Sequence, residues 1–241
     1  MKQHEAVINV MEEIGGLATL AQLYQSVNVS SWKTKTPFAS IRRIVQDERF
    51  FFKIKPGLWA LNSYKEKLSH LIPIDKSKSK EEKDVYNHSY YQGLLVEIGN
   101  LKGFHTFIPN QDKNKKFLTS TLGDFATLKD IYKFTYEDVV SRAKTIDVIW
   151  FNNRKFPESF FEVEHSTDFQ NSFLKMLDLK HFYANFNIVA DIKRFREFEK
   201  KISYSTFDEL KNRIKFISYE KLSDYHSKSF LYFALNKELQ I

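Results

Sequence analysis

Two glutamates lie two positions apart in an otherwise apolar run. In the segment PESFFEVEHSTDF, residues 157–169, Glu162 and Glu164 alternate with Phe161 and Val163. Successive side chains of a β-strand point to opposite faces, so we expect both glutamates on one face and both apolar residues on the other. Acidic side chains seldom lie in an apolar strand unless negative charge is needed there.

A third carboxylate, Asp147, lies in the apolar run TIDVIW, with Ile146 and Val148 expected on the opposite face. Only FNNRKFPES separates this run from FFEVEH, and a hairpin of that length would bring Asp147 beside Glu162. Converging carboxylates repel one another unless a cation neutralises them. Oxygen ligands without cysteine suit Mg²⁺, or Mn²⁺, rather than zinc. The alternative is that the acids form the solvent face of a half-buried sheet.

The composition narrows the classes of function. The 241 residues include 37 Lys and Arg against 30 Asp and Glu, a net charge of +7 that favours a polyanionic partner such as nucleic acid. The lack of cysteine excludes disulfides, a thiolate nucleophile and Cys-ligated zinc. No apolar stretch approaches the ~20 residues of a membrane span. The charged N-terminus lacks a signal-peptide core, so a soluble, cytoplasmic protein with no membrane partner is expected.

Strands and helices alternate around these acids. YNHSYYQGLLVEIGNLKG has helical periodicity and ends before Gly103, whereas FHTFIP, TIDVIWF, SFFEVEH and FNIVAD have the composition of strands. LGDFATLKDIYKF and NSFLKMLDLKHFY are predicted helices. This order predicts a mixed α/β (α+β) domain with a central sheet over residues 85–241.

A separate module precedes that domain. EAVINVMEEIG, ATLAQLYQSV and TKTPFASIRRIVQDE are predicted helices, and RFFFKIKPGLWALN is a predicted hairpin that turns at Pro56-Gly57. Three helices and a hairpin are the order of a winged helix-turn-helix, predicted here over residues 1–62. Residues 63–84 lose the apolar periodicity and alternate Lys, Ser, Asp and Glu, which predicts a charged linker.

The ordered segments of the second domain resemble a known family. IDVIWFNNRKFPESFFEVEHSTDF, followed by an apolar helix and NIVAD, resembles the PD-(D/E)XK nuclease superfamily. It is more closely similar to restriction-endonuclease-like bacterial proteins with an EVEH(S/T)T-type strand. The family's helix pattern is matched by six residues: His88, Gln92, Leu95, Ile98, Gly99 and Gly103. The resemblance covers residues 86–224 and implies a mixed sheet flanked by helices.

The resemblance also implies roles for residues. Asp147 matches the first metal-binding acid and Glu162 the second, with the Val163 carbonyl as a further ligand of Mg²⁺ or Mn²⁺. Where the superfamily has a lysine, this sequence has Glu164. A minority of restriction enzymes also have glutamate there, so Glu164 could act as the general base.

Several neighbours of the site stay open. Either Gln92 or Glu97 could face the metal from the first helix, since Gln92 fits the closer family and Glu97 is the better ligand. Lys175 or Lys180 could assist, although solvated helix charges are the commoner role of such lysines. His165 is expected on the face opposite the glutamates, either bonding backbone or serving the site.

The first domain resembles the HARE-HTH winged-helix family. The matching residues are Trp32, Thr36, Pro37, Ile41, Arg42, Arg43, Gly57, Trp59, Ala60 and Leu61. In such a fold the third helix enters the major groove and the wing touches the backbone. The candidate DNA contacts are Lys33, Lys35, Arg42, Arg43 and Lys55.

Together these patterns predict a two-domain, Mg²⁺-dependent endonuclease of type II restriction class that hydrolyses double-stranded DNA. The winged helix would aid recognition of a DNA sequence or of a methylated site. A homodimer is expected because two sites suit a double-strand cut, and a cognate methyltransferase could be encoded nearby. The alternatives are an inactive nuclease fold that binds DNA in a defence module, motivated by Glu164, and a winged-helix transcription regulator.

Overall fold

The computed structural model describes residues 2–70, 72–73 and 79–239, except for the side chains of 237–239. The chain divides into two compact units, one of residues 1–83 with 223–241 and one of residues 84–222. Each unit is described by itself.

The first unit pairs short helices with a three-stranded sheet. Strand β3 lies between β1 and β2 and is antiparallel to both. The elements are α1 (Gln3–Glu13), β1 (Leu17–Thr19), α2 (Leu20–Ser26), α3 (Pro37–Ile44), β2 (Phe51–Lys55), β3 (Leu58–Leu61) and α4 (Lys65–Ser69).

Local sequence signals explain most of these boundaries. The Thr19 hydroxyl caps α2 by accepting a hydrogen bond from the main-chain N–H of Gln22. In return, the side-chain oxygen of Gln22 accepts a hydrogen bond from the main-chain N–H of Thr19. Pro37 occupies the first turn of α3, where its missing N–H costs nothing. The hairpin turns at Gly57, whose φ of 75° favours glycine.

Three features of the first unit differ from the expectation. Strand β1 was not predicted, because three residues are too few to show an alternating pattern. Within the predicted linker at 63–84, residues 65–69 form α4 and a longer helix begins at Lys80, while residues 71 and 74–78 lie outside the described part. The sequence places residues 223–239 in the C-terminal domain, but they group with this unit, and Leu231 packs against its core.

The second unit is built on a five-stranded mixed sheet in the order β10-β9-β8-β7-β4. Strands β8, β9 and β10 are parallel, whereas β7 is antiparallel to β8 and to β4. The elements that follow along the chain are α5 (Lys80–Leu101), β4 (His105–Phe107), β5 (Lys116–Phe117), β6 (Ser120–Thr121), α6 (Leu122–Phe125), α7 (Glu137–Ala143), β7 (Val148–Phe151), β8 (Pro157–Glu164), α8 (Phe169–Asp178), β9 (Asn185–Ala190), α9 (Phe195–Ile202), β10 (Ile214–Ser218) and α10 (Tyr219–Leu239). Of these, the first four residues of α5 and the part of α10 from residue 223 belong to the first unit.

Helix α5 packs closely against β4 and β7. A Cβ at Gly99 would lie 2.6 Å from the Thr106 and Trp150 side chains, so only glycine allows this approach. The Trp150 indole donates a hydrogen bond to the Leu95 carbonyl at 3.0 Å. Across the sheet, Phe160 joins a core that includes Phe173 of α8 and Phe198 of α9.

The mixed α/β fold class, with helices flanking a mixed sheet, is confirmed. The predicted helix LGDFATLKDIYKF is wrong beyond α6, since residues 126–134 form no helix. Helices α7 and α9 and strand β10 were not predicted. In the described part of the chain, no helix is both long and apolar enough to cross a membrane.

Candidate active site

Strands β7 and β8 bring two of the acids together. Val148 pairs with Phe161, so Asp147, one residue before β7, lies opposite Glu162. The Val163 amide donates a hydrogen bond to Asp147 Oδ2 at 2.7 Å, which fixes the aspartate at the edge of β8. The antiparallel pairing expected from the short connection is therefore present.

Both glutamates are buried beneath α8 instead of lying on a solvent face. Glu162 is 3% exposed and Glu164 is 5% exposed. The Ser172 hydroxyl, on α8, contacts Glu162 Oε2 at 3.0 Å and also Glu164 Oε1, while Thr167 donates to Glu164 Oε2. The solvent-face alternative is wrong for these two residues, and their carboxylates are desolvated.

Lys175 enters the same site from α8. Its Nζ lies 3.0 Å from Glu162 Oε1 and 2.9 Å from Oε2, and it donates to the Thr145 carbonyl at 2.8 Å. Lys175 is thus not a solvated helix charge. Lys180, in contrast, pairs with the exposed Glu209 at 2.6 Å.

Helix α5 supplies further polar groups to Asp147. His88 Nε2 lies 3.0 Å from Asp147 Oδ2. The Gln92 amide donates to the Asp147 carbonyl at 3.2 Å and to Asp112 Oδ2 at 2.7 Å. Glu97 is five positions further along, about 140° around the helix at 100° per residue. Of the two helix candidates, Gln92 contacts the main-chain carbonyl of Asp147.

Burial and neighbouring charges separate the pKa values of the three acids. Burial, and then the charge of Asp147, raises the pKa of Glu162 to about 8 despite Lys175. Burial likewise raises the pKa of Glu164. Burial alone would also raise the pKa of Asp147, but the charge and hydrogen bond of His88, the hydrogen bond from the Val163 amide and the charge of Lys175 together hold that pKa below its usual value. Burial lowers the pKa of His88, but the charge and hydrogen bond of Asp147, with the charge of Asp112, outweigh burial and raise that pKa above its usual value.

The loop after β8 is held by an arginine and by a histidine. Arg194 donates to the carbonyls of Glu164 and Thr167, at 3.2 and 2.6 Å. His165 contacts Asp84 and Asn87, at 3.0 and 3.1 Å, and the Tyr219 hydroxyl at 3.2 Å. His165 therefore lies on the α5 side of the sheet, opposite the glutamates, as expected.

A cavity of about 370 Å³ opens onto these groups. Its lining combines the acids with the cations and hydroxyls described above: His88, Arg142, Asp147, Glu162, Val163, Glu164, Thr167, Asn171, Ser172, Leu174 and Lys175. A buried cluster of carboxylates that opens to a cavity is an arrangement that could hold a divalent cation.

The five basic residues predicted to contact DNA lie in the first unit. Lys33, Lys35, Arg42 and Arg43 are exposed, and Lys55, in β2, is half-buried. Arg42 Nη1 lies 3.8 Å from Asp224 Oδ1.

Comparison with known proteins identifies the family. A family model described as the C-terminal domain of the type II restriction enzyme NmeDI matches residues 71–237, which is more than half of the chain. The chain belongs to the NmeDI C-terminal domain family.

One curated relative gives the scale of the similarity. The type II restriction enzyme NmeDI of Neisseria meningitidis serogroup C is 30% identical over 106 residues, covering 41% of this chain. The match spans 30% of that enzyme's length. No solved structure matches the chain.

In this NmeDI-family chain, the sequence patterns missed Asp112 as a neighbour of the acids. Asp112 is 1% exposed and lies in the one-turn helix Asn110–Asp112 between β4 and β5. The segment around it, PNQDKNKK, has the composition of a surface loop, so no pattern marks this carboxylate as buried. His88 appears in the helix pattern, but its contact with Asp147 depends on how α5 packs.

Proposed function

We propose that the chain is a divalent-metal-dependent DNA endonuclease of restriction type. The observation that carries the proposal is the placement of Asp147 opposite Glu162, beside Lys175, in a cavity of an NmeDI-family chain. The similarity to a type II restriction enzyme supports the same reaction class.

The donor set fits a hard cation. Asp147, Glu162 and the Val163 carbonyl would hold it, since oxygen ligands suit Mg²⁺ or Mn²⁺. Among the described contacts of Glu162, one is with a positively charged side chain, that of Lys175. The negative charge of the buried carboxylates can therefore accommodate a bound cation as well. A bound divalent ion would offset charge that develops on the phosphate and acidify a water molecule.

Lys175 is the candidate for the role of the superfamily's strand lysine. Its ammonium group lies against Glu162, whereas both oxygens of Glu164 accept hydrogen bonds from Ser172 and Thr167. In this proposal Lys175 orients the attacking water and stabilises the reacting phosphate. Glu164, whose pKa is raised by burial and whose oxygens open onto the same cavity, is the general-base candidate.

The affinity for Mn²⁺ is expected to increase with pH. A cation binds the deprotonated carboxylate of Glu162, whose pKa is raised to about 8, so binding must displace a proton below that pH. We expect the affinity to rise roughly tenfold per pH unit from about pH 6 and to level off above pH 8. Mn²⁺ titration followed by electron paramagnetic resonance measures this, and a flat profile over that range would contradict the assignment of Glu162 as a ligand.

The first unit is proposed to bind double-stranded DNA as a winged helix. Its element order and its exposed cations near α3 support this role. A triple variant in which Lys33, Lys35 and Arg43 are each replaced by glutamine should bind DNA with a weaker dependence on salt. The slope of the logarithm of the binding constant against the logarithm of the salt concentration should fall in magnitude by about one per lost phosphate contact. Fluorescence anisotropy over a salt series measures the slope. The matched control is Arg49→Gln, which removes an exposed arginine paired with Asp47 at 2.6 Å, and an equal loss in that control would refute the surface assignment.

The direct test of function is incubation of methylated and unmethylated genomic DNA with the protein and Mg²⁺, followed by sequencing of the cut ends. Defined ends at a recurring sequence are expected. A homodimer and a companion methyltransferase are proposed with the activity, because two sites suit a double-strand cut.

A second candidate function is an inactive nuclease fold that binds DNA. Glu164 in the place of the strand lysine favours it. This candidate requires DNA binding without turnover in either Mg²⁺ or Mn²⁺.

A further inference from the structure

The connection between β4 and β5, residues 108–115, begins at the end of the sheet that carries the candidate active site. Phe107, the last residue of β4, pairs with Ile149 of β7, two residues after Asp147. Because the two strands are antiparallel, the chain leaves β4 at the end of the sheet where Asp147 enters β7. The connection therefore starts beside the acids.

Asp112 fixes the middle of this connection close to Asp147. Its side chain is 1% exposed, accepts a hydrogen bond from Gln92 at 2.7 Å and pairs with Lys115 at 2.6 Å. Gln92 also donates to the Asp147 carbonyl. A carboxylate oxygen of Asp112 lies within 4.8 Å of one of Asp147. The connection is thus tied to the site through a buried side chain.

The chain at the other end of the connection is also held in place. The Ser89 hydroxyl, on α5, donates to the Lys116 carbonyl at 2.6 Å. Phe117 is fully buried against α5, where a Cβ at Gly93 would lie 2.2 Å from its ring, so only glycine permits the contact. A segment that is fixed before DNA binds loses less conformational entropy when it makes contacts.

Three amide side chains of this fixed connection are exposed, those of Asn110, Gln111 and Asn114. None of them makes a side-chain hydrogen bond within the described part of the chain. Asparagine in a loop commonly bonds nearby main chain, as Asn152 does by accepting a hydrogen bond from the Phe156 N–H at 3.2 Å. The three amides have no such role, so their donors and acceptors are available to a partner.

The distances suit contact with bases beside the cut. Asn110 and Asn114 each lie two positions from Asp112, and Gln111 adjoins it, so their main chain is within roughly 7 Å of that of Asp112. Successive nucleotides of one DNA strand rise by about 3.4 Å. A phosphodiester bound at Asp147 would therefore have the base pairs up to about three steps away within reach of these side chains.

We propose that Asn110, Gln111 and Asn114 read base edges of the DNA within about three base pairs of the cut. Asparagine and glutamine side chains pair with adenine through its N6 amino group and N7 in the major groove, so these amides select A·T pairs. The exposed Lys116, at the start of β5, contacts the phosphate backbone without reading sequence. The inference rests on the proposed function in taking DNA as the ligand, and it assigns part of the sequence recognition to the catalytic unit.

Selection from a randomised duplex library, with Ca²⁺ in place of Mg²⁺, tests the proposal on the full chain without requiring cleavage. The wild type is expected to enrich a recurring motif that contains A·T pairs. A variant with Asn110, Gln111 and Asn114 each replaced by alanine should lose its preference at those positions, by roughly 5- to 150-fold per lost base contact.

The matched control for this selection is Asn153→Ala. Asn153 is exposed and makes no side-chain hydrogen bond within the described residues, but it lies in the β7–β8 connection at the opposite end of the sheet. This control should enrich the wild-type motif. The wild-type motif in the triple alanine variant, an equal loss in Asn153→Ala, or a wild-type selection without A·T pairs would overturn the proposal.

A second measurement separates base contacts from phosphate contacts. On a duplex of G·C pairs alone, the triple alanine variant should bind as the wild type does, with the same salt dependence, because amides release no counterions. Lys116→Gln should keep the selected motif and lower the magnitude of the salt slope by about one. An equal loss of affinity for the G·C duplex and for the selected duplex in the triple variant would refute base readout.

The proposed function and this inference fail in different ways. A motif that changes in the triple alanine variant, with no cleavage by the wild type in Mg²⁺ or Mn²⁺, would remove the nuclease activity and keep the readout. Cleavage by the triple variant at the wild-type sequence, with the wild-type preference, would do the reverse.

Discussion

Asp147→Asn is expected to abolish metal-dependent DNA cleavage while the chain still binds DNA. Asp147 is a ligand of the proposed cation site, and asparagine keeps its size and an oxygen for the Val163 amide but loses the charge. If the cation supplies several kcal/mol of transition-state stabilisation, a loss of about 4 kcal/mol corresponds to roughly 10³-fold in rate. Single-turnover cleavage and fluorescence anisotropy on the same duplex measure the two effects.

Asparagine is preferable to alanine at this position because alanine would leave the Val163 amide and His88 without an acceptor, which destabilises a buried site. The matched control is Asp130→Asn, which neutralises an exposed aspartate 3.5 Å from Lys144 in the same unit. Cleavage at the wild-type rate by Asp147→Asn would refute the site, and parallel losses in both variants would indicate a general effect of charge.

Lys175→Met is expected to lower the cleavage rate by about 10² to 10³, the effect of removing one positioned charge from a transition state. Methionine keeps much of the side chain's length and its packing on α8 while removing the ammonium group that contacts both oxygens of Glu162. The rate should be measured at saturating Mn²⁺ with DNA in excess.

The matched control is Lys180→Met, since Lys180 follows the same helix but pairs with Glu209. If Lys175 only neutralises Glu162 until a cation arrives, Lys175→Met would cleave normally at saturating Mn²⁺, and the catalytic role would be refuted. In that event Glu164→Gln should show the large loss instead, as a general base would.

Strand alternation predicts the pairing of Asp147 with Glu162 because the period of two and a short connection together limit the register. The same reasoning cannot predict the contact of Lys175. Lys175 borders an apolar stripe of Phe169, Phe173 and Met176 on α8, and only the rotation of that helix over β8 decides whether the lysine faces the acids or solvent.

Asp112 and His88 were harder to predict for a different reason. Asp112 reaches the acids through a single helical turn in a polar segment, where no periodicity exists to be recognised. His88 lies in α5, whose helix was predicted from the sequence, but its partner is 59 residues away. Contacts between elements distant in sequence depend on packing, which a local pattern does not contain.

The hydroxyl of Ser172 contacts carboxylate oxygens of both Glu162 and Glu164. A hydroxyl carries one hydrogen, so it can donate to only one carboxylate at a time. The second contact is a hydrogen bond only when the other glutamate is itself a neutral acid that donates to Ser172. Both contacts can be hydrogen bonds at once only if the metal-free pair of glutamates carries one proton. Calorimetry in buffers of different ionisation enthalpy would then detect the release of that proton when a cation binds.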